Sequence, residues 1–515
     1  LLLALVWSAY GPSLRHAPRA DQWCFLVDTI NDHTFPDTFA HSCSYNRTRV
    51  IAPGDTDLFR PVLFALLSAE KVLFEGDLGA AQAAGIVLHC GVCVLLLVLL
   101  RQIAALGDSG DSPSLVTMLL PYVVTGFFAL NPGVQELVIW THLHGYLLFL
   151  LFLLGSLALL IRYAAGPFVG SWRSPSLWGG WGLALLSAFT YELGQVYSVF
   201  AGLFLAAAVW SKVGRNRAAG LFATFAAVAV LYQTANAIDL RCHPGQFTPE
   251  NNGRRVLEQA FTPATVANSV RFATYTAVQP FFPTMTENRF DGGRLWVAES
   301  LWTPHGRRNP GPAVAVSVLV VGLAAGLVVA GLLRLGRPGN RLPLLLFLLC
   351  AGLYAVYAGM NVLGRMNLRP VPEVLASNSY YTYTALLFAL LAGWTAISRV
   401  GDGPRVANAR AGLLVGLVVL AILGAEHVRR VNQDVTHYLS DVAKPIRTVN
   451  AFVRHHRHEP DFSFAIDHRR SDRIIPVYGI PVTDVMFARW MTAPEPKYRI
   501  AVRDGNVIVL QTAER

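Results

Sequence analysis

Long runs of apolar residues recur along the whole chain, each about as long as a bilayer is thick when wound into a helix. No other feature constrains the fold as strongly. Inside hydrocarbon, every backbone N–H and C=O must be satisfied within its own segment, so these runs read as membrane-crossing helices. They lie near residues 78–100, 115–130, 137–161, 176–190, 193–211, 219–238, 312–333, 343–363, 381–397 and 411–425. The opening LLLALVWSAY suits either the tail of a signal peptide or the end of a first span. Taken as a span, it lets the remaining topology alternate and brings the total to about eleven spans of roughly 20 residues each. Composition agrees. Of 515 residues, 53% are hydrophobic and 14% charged, whereas a soluble domain carries about 25% charged residues. That balance excludes a large soluble enzyme, a disordered chain and a fibrous repeat. The fold class is an α-helical polytopic membrane protein.

A net charge of +10 would suggest nucleic acid in a soluble protein. Here no dense Lys/Arg run with interleaved aromatics occurs, and basic residues between spans have a topological role. Arg101, Arg162, Arg173, Lys212, Arg215, Arg217, Arg334, Arg337, Arg341, Arg399, Arg405 and Arg410 all fall in connections on one side. On the other side, the connections near 131–136 and 190–194 carry no Lys or Arg, and 364–380 carries Arg365 and Arg369. The positive-inside rule places the first set in the cytoplasm. Three polar segments then lie outside, residues 11–77, 239–311 and the tail 426–515. The chain divides into a transmembrane domain, 1–425, and a small α+β extracytoplasmic domain, 426–515. In the tail, 427–456 reads as a helix leaving the membrane and DFSFAID at 461–467 as a strand. YRIAVRDGNVIVL at 498–510 reads as a hairpin around Asp504-Gly505. So few residues make a thin core, so the tail is expected to pack on the other outer segments.

The first outer segment gathers Asp28, Asp32, Asp37, Asp55 and Asp57, with His33 and His41 among them. Carboxylates beside a membrane surface can deprotonate an acceptor hydroxyl, hold a divalent cation against a phosphate, or simply be solvated. After Pro61, VLFALLSAEKVLF is amphipathic at helical spacing and too polar to span, so it reads as a helix lying in the interface. Glu136 and Glu192 sit at outer span ends in near-apolar surroundings. An ionisable group there is costly, so either a partner or a function is expected; snorkelling to the interface is the alternative. His142 and His144 are two apart and share no helix face, which argues against a metal pair. The second outer segment carries Arg254 and Arg255 together with Phe281, Phe282, Phe290, Trp296 and Trp302. Aromatic faces beside polar groups suit sugar or headgroup contact, or packing against the membrane surface. Cys24 and Cys43 flank a polar stretch and could pair outside the cytoplasm. Cys90-x-x-Cys93 lies within a span, which makes it a weak zinc or redox signal.

DLFRPVLFALLSAEKVLFEGDLGAAQAAGIVLHCGVCVLLLVLLRQ resembles the first-loop and second-span region of GT-C fold membrane glycosyltransferases. The likeness is to transmembrane O-mannosyltransferases with tetratricopeptide repeats and to their bacterial relatives. That family reads Tyr-Arg-Pro-Leu, an interfacial helix, then a span with a Leu-His pair. The counterparts here are Phe59-Arg60-Pro61-Val62 and Leu88-His89. A His-Pro-x-x-x-Glu turn is matched by Asn131-Pro132-Gly133-Val134-Gln135-Glu136, and a Ser-Lys-Glu turn by Thr190-Tyr191-Glu192. Ser379-Tyr380-Tyr381-Thr382-Tyr383-Thr384 stands where an Arg-Tyr-x-Tyr-x-Pro-Ser motif opens a late span. The likeness runs from about residue 24 to about residue 400, and shared order and spacing carry it rather than any single motif. The departures are Asn131 for His, Tyr191 for Lys, Asn378 or Ser379 for the late Arg, and His144 and Tyr146 near the positions of an Arg and an Asp. The tail shows no tetratricopeptide repeat.

The resemblance implies a GT-C-like transmembrane domain and an inverting transfer outside the membrane, from a polyprenyl-phosphate sugar to a protein or glycan acceptor. It implies an acidic base in the first outer loop, where Asp28 fits best and Asp32 next. The donor's lipid tail must lie between spans while its phosphate stays at the interface, and Arg60 is placed to meet that phosphate; a lipid-headgroup or structural arginine is the alternative. Glu136, Glu192, Arg254 and Arg255 are further candidate polar residues of the site. The departures favour a second reading, a non-catalytic GT-C-like scaffold or accessory subunit of a membrane complex. Arg and His in 239–311 also resemble the O-antigen ligase and polymerase class. The implied partners are membrane lipids, the lipid-linked donor and the acceptor, with a membrane protein partner under the scaffold reading and no nucleic acid. Whether a divalent cation, Mg or Mn, assists stays open. The expected location is the bacterial inner membrane, with the C-terminal domain extracytoplasmic.

Overall fold

The computed structural model describes residues 2–16, 34–48, 59–74, 77–106, 114–167, 169–242, 260–283, 287–291, 294–299, 313–337, 339–365, 372–376, 379–401, 403–438, 464–467, 498–503 and 507–512. Among the described residues, the apolar runs read from the sequence fall largely in helices, and the run 137–161 is interrupted at Trp140. In chain order the helices are α1 (Leu2–Tyr10), α2 (Phe35–Thr48), α3 (Pro61–Phe74), α4 (Leu78–Ala105), α5 (Leu115–Ala129), α6 (Gln135–Ile139), α7 (His144–Ala165) and α8 (Pro175–Thr190). There follow α9 (Leu193–Val213), α10 (Arg215–Cys242), α11 (Pro263–Val278), α12 (Ala313–Leu335), α13 (Arg341–Arg365), α14 (Pro372–Ala376), α15 (Ser379–Ile397) and α16 (Pro404–Tyr438).

Helical and membrane-spanning are different properties, and the expectation of about eleven spans is met in part. Among the described residues, seven helices are long and apolar enough to cross a membrane: α4, α7 with the turn before it, α9, α10, α12, α13 and α16. An eighth exists if α5 and the segment Pro132–Ile139 form one broken span, bent by 59°. The runs at α1, α8 and α15 give shorter helices. The 16 residues of α8 reach only about 24 Å, short of a hydrocarbon core of roughly 30 Å. The chain is an integral membrane protein.

Local sequence sets the breaks. Asp77 caps α4 by accepting from the Gly79 and Ala80 N–H groups, and Ser114 caps α5 through the Thr117 N–H. Thr262 caps α11, with Pro263 at its first turn. Gly214 joins α9 to α10 at φ 78°, a left-handed conformation that glycine adopts at little cost.

α7 is the centre of the bundle, with 67% of its span buried against 17% for α12 at the periphery. It packs on α4 and α8, and α9 packs on α10 and α13. The first and last helices meet. Asn432 of α16 donates to the Ala9 carbonyl at 3.1 Å and accepts from Gln135 Nε2 at 2.7 Å, while Thr436 donates to the Pro12 carbonyl.

The two ends of the bundle differ chemically. At one end, arginines predicted as cytoplasmic donate to backbone carbonyls. Arg399 donates to the Ile103 carbonyl in the last turn of α4, Arg341 to Ala207 in α9, and Arg410 to Val400. The opposite end holds Arg60 and the turns α5–α6, α8–α9 and α13–α15. Residues 287–291 (β1) and 294–299 (β2) pair as an antiparallel hairpin within the second large polar segment.

In the tail, β3 (Phe464–Asp467), β4 (Tyr498–Arg503) and β5 (Val507–Thr512) form an antiparallel sheet in the order β3-β5-β4. The β4–β5 register spans the position read as a hairpin turn. α16 runs unbroken from 404 to 438, so residues 427–438 of the segment read as a helix leaving the membrane continue the last span, while 439–456 lie outside the described residues.

Candidate functional site

Arg60 immediately precedes Pro61, the first residue of α3, and its carbonyl accepts the Phe64 N–H, so the helix start orients its side chain. The guanidinium reaches the turn between α8 and α9. There Nε donates to Glu192 Oε1 and Nη2 to Oε2, both at 2.7 Å. The Tyr191 ring lies 4.6 Å from the guanidinium carbon and the Tyr146 ring 5.7 Å. A two-point charge-assisted fork with two aromatic walls suits arginine and not lysine. Arg60 is 8% exposed. Burial works against its charge, but the Glu192 carboxylate and the neighbouring tyrosines outweigh it and hold the guanidinium above its ordinary pKa. The fork uses the Nε and Nη2 edge, which leaves the Nη1 edge to face any further acceptor.

An aromatic shelf supports this pair. Phe59, Phe189 and Tyr232 contact one another with centroids 5.7–6.0 Å apart, and the Tyr232 hydroxyl donates to the Phe59 carbonyl. Farther along α3, Glu70 Oε1 accepts from His144 Nδ1 at 2.8 Å. On α4, Gln82 donates to the Ile139 carbonyl at 2.8 Å, and Gly85 lies directly against His144 Nε2. Glu70 and Gln82 were not singled out from the sequence. For Gln82 the signal was visible, since it is a polar residue inside an otherwise apolar helical run.

Several expected residues meet here. Glu192 is the partner of Arg60, and Glu136 is fully buried on α6. Segments that carry the family resemblance converge as well. His89 Nε2 lies 3.1 Å from the Ala129 carbonyl and must donate to it, so Nδ1 accepts the Tyr383 hydroxyl at 2.7 Å. Asn131 accepts the Gly133 N–H and donates to the Pro280 carbonyl, and Gly133 packs against Thr382. Phe281 stacks on Phe127 at 4.9 Å, so this aromatic of the second outer segment packs within the protein.

Other expected residues fall elsewhere. Asp28, Asp32, Arg254 and Arg255 lie outside the described residues, as does Cys24. Asp37 begins α2 and takes a 2.6 Å hydrogen bond from Thr34. Among the described residues, no three His, Cys, Asp or Glu side chains are arranged to hold a metal ion.

No protein-family model and no curated protein matches the chain. Among solved structures it is similar to the archaeal oligosaccharyltransferase AglB from Archaeoglobus fulgidus, in complex with an inhibitory peptide and a dolichol-phosphate. That match has a TM-score of 0.42 and 11% identity, over 83% of this chain and 56% of that one. An Archaeoglobus fulgidus oligosaccharyltransferase tethered to an acceptor peptide with an NVT sequon gives a TM-score of 0.41 and 11% identity, over 83% and 55%. ArnT from Cupriavidus metallidurans bound to undecaprenyl phosphate gives 0.33 and 11%, over 99% and 96%. The chain spans a little over half the length of the two oligosaccharyltransferases.

Proposed function

We propose that the chain is a membrane glycosyltransferase of the GT-C kind. It moves a sugar from a polyprenyl-phosphate carrier to a protein or glycan acceptor on the side opposite the arginine-rich connections. One observation supports this most. Motif segments from residue 59 to residue 384 gather around one end of the bundle, with a buried, obligately charged arginine at the start of a short helix. In this reading Arg60 meets the donor phosphate through its Nη1 edge, or exchanges Glu192 for it, while the polyprenyl tail lies between spans. The acceptor oxygen bonds to the anomeric carbon from the face opposite the phosphate. The carbon–oxygen bond to phosphate breaks, polyprenyl phosphate leaves with the electron pair, and the acceptor proton passes to Asp28 or Asp32. Configuration inverts.

The test is transfer from polyprenyl-phosphate-linked sugars by the purified protein, with Asp28→Asn and Asp32→Asn alongside. Product from the wild type and loss in one variant is expected. Retention of transfer in both variants removes the base assignment. A second reading, a GT-C-like scaffold within a membrane complex, is favoured by one feature, the engagement of Arg60 by Glu192. Absence of transfer by the wild type with every lipid-linked sugar tried would select it.

A further inference from the structure

Beneath the Arg60 fork lies a second buried pair that the proposed chemistry does not use. His144 is fully buried and Glu70 is 8% exposed. A carboxylate only accepts, so His144 Nδ1 carries the hydrogen and donates to Glu70 Oε1 at 2.8 Å. His144 Nε2 is buried against Gly85 and has no hydrogen-bond partner among the described residues. Glu70 is thus the hydrogen-bonding group that orients this ring.

The position of the pair in the fold gives it a role. Glu70 shares α3 with Arg60. His144 opens α7, which also carries Tyr146, the ring facing the Arg60 guanidinium. α3 and α7 are therefore joined at two places, through Glu70–His144 and through Arg60 with Tyr146. Between these ties Leu63 presses on Gly145, where a Cβ would overlap the leucine side chain. A short helix held at one point can still slide and rotate, and two ties remove both freedoms.

We infer that Glu70 and His144 form a positioning pair that sets the register of α3 on α7 and so presents Arg60 to the donor phosphate. This rests on the reading of Arg60 as the phosphate-binding residue. Both residues act through Arg60 and touch neither sugar nor phosphate.

The experiment measures binding of undecaprenyl phosphate to the whole chain in lipid nanodiscs. The proteins are wild type, Glu70→Ala and Glu70→Gln, each with and without Arg60→Ala. Loss of a buried charge-assisted hydrogen bond predicts roughly tenfold weaker binding for Glu70→Ala. Glu70→Gln keeps an oxygen for the Nδ1 hydrogen and should bind near the wild-type level. In the Arg60→Ala background, Glu70→Ala should have no further effect. Equal losses in both backgrounds, or equal losses for Gln and Ala, overturn the inference, because general destabilisation would produce either. If the wild type binds no undecaprenyl phosphate, the functional reading fails and hydrogen exchange decides the positioning role by itself. Glu70→Ala, and not Glu70→Gln, should then speed amide exchange at Leu63–Leu66. Unchanged exchange there overturns it.

Discussion

An arginine gripped by a carboxylate fork between two tyrosine rings is not interchangeable with a lysine. Lysine would keep the charge at position 60, but it would lose one of the two hydrogen bonds to Glu192 and the flat contact with Tyr191 and Tyr146. Arg60→Lys is expected to cost about 1–2 kcal/mol of stability, read as a lowered unfolding midpoint of the detergent-solubilised protein. Arg60 was legible from the sequence as a residue beside an interfacial helix. Its partner was not, because 132 residues of chain separate it from Glu192. Glu192 looked like an ionisable group at an apolar boundary in need of a partner or a function, and Arg60 like a contact for a phosphate or headgroup. Hydropathy places both at the same end of the bundle but cannot say that they touch.

Among the elements, the break between α5 and α6 shows how a local signal acquires a distant consequence. Asn131-Pro132 stops the helix. The Asn131 side chain then accepts the Gly133 N–H at 2.9 Å and donates to the Pro280 carbonyl at 2.8 Å. The first bond is a cap readable from sequence. The second ties this turn to a segment far along the chain. The departure from the family's His-Pro turn thus places an amide that both accepts and donates. Asn131→Ala is expected to destabilise the protein by about 1–2 kcal/mol. Asn131→Asp keeps the cap and loses the donor, so it should fall in between. Thermal unfolding of the three proteins side by side checks the order. The apolar runs marked where helices form. They did not fix how many reach across, because periodicity and hydropathy do not report where a helix bends or stops within a run.

At the scale of the molecule, basic residues that set the expected orientation also donate to backbone carbonyls. Arg399 donates to a carbonyl in the last turn of α4 and Arg410 to one just past α15, while Arg341 reaches a carbonyl within α9, so topology and helix ends share some of the same side chains. The orientation predicts that the end of α10 faces away from the cytoplasm. Cys242 is exposed at that end. With the other cysteines replaced by serine, a membrane-impermeant maleimide should label Cys242 in intact spheroplasts. Labelling only after membrane disruption would reverse the orientation.

The sequence alone determined the class of molecule and the helical segments, because a chain this apolar has no other way to satisfy its backbone in lipid. It also marked Glu136 and Glu192 as residues that need a reason, since charge near hydrocarbon is costly. Only the tertiary structure decided that Arg60 closes on Glu192, that Glu70 meets His144, and that His89 meets Tyr383. Packing in a bundle depends on side-chain shape and close approach between distant segments, and neither is periodic along the chain.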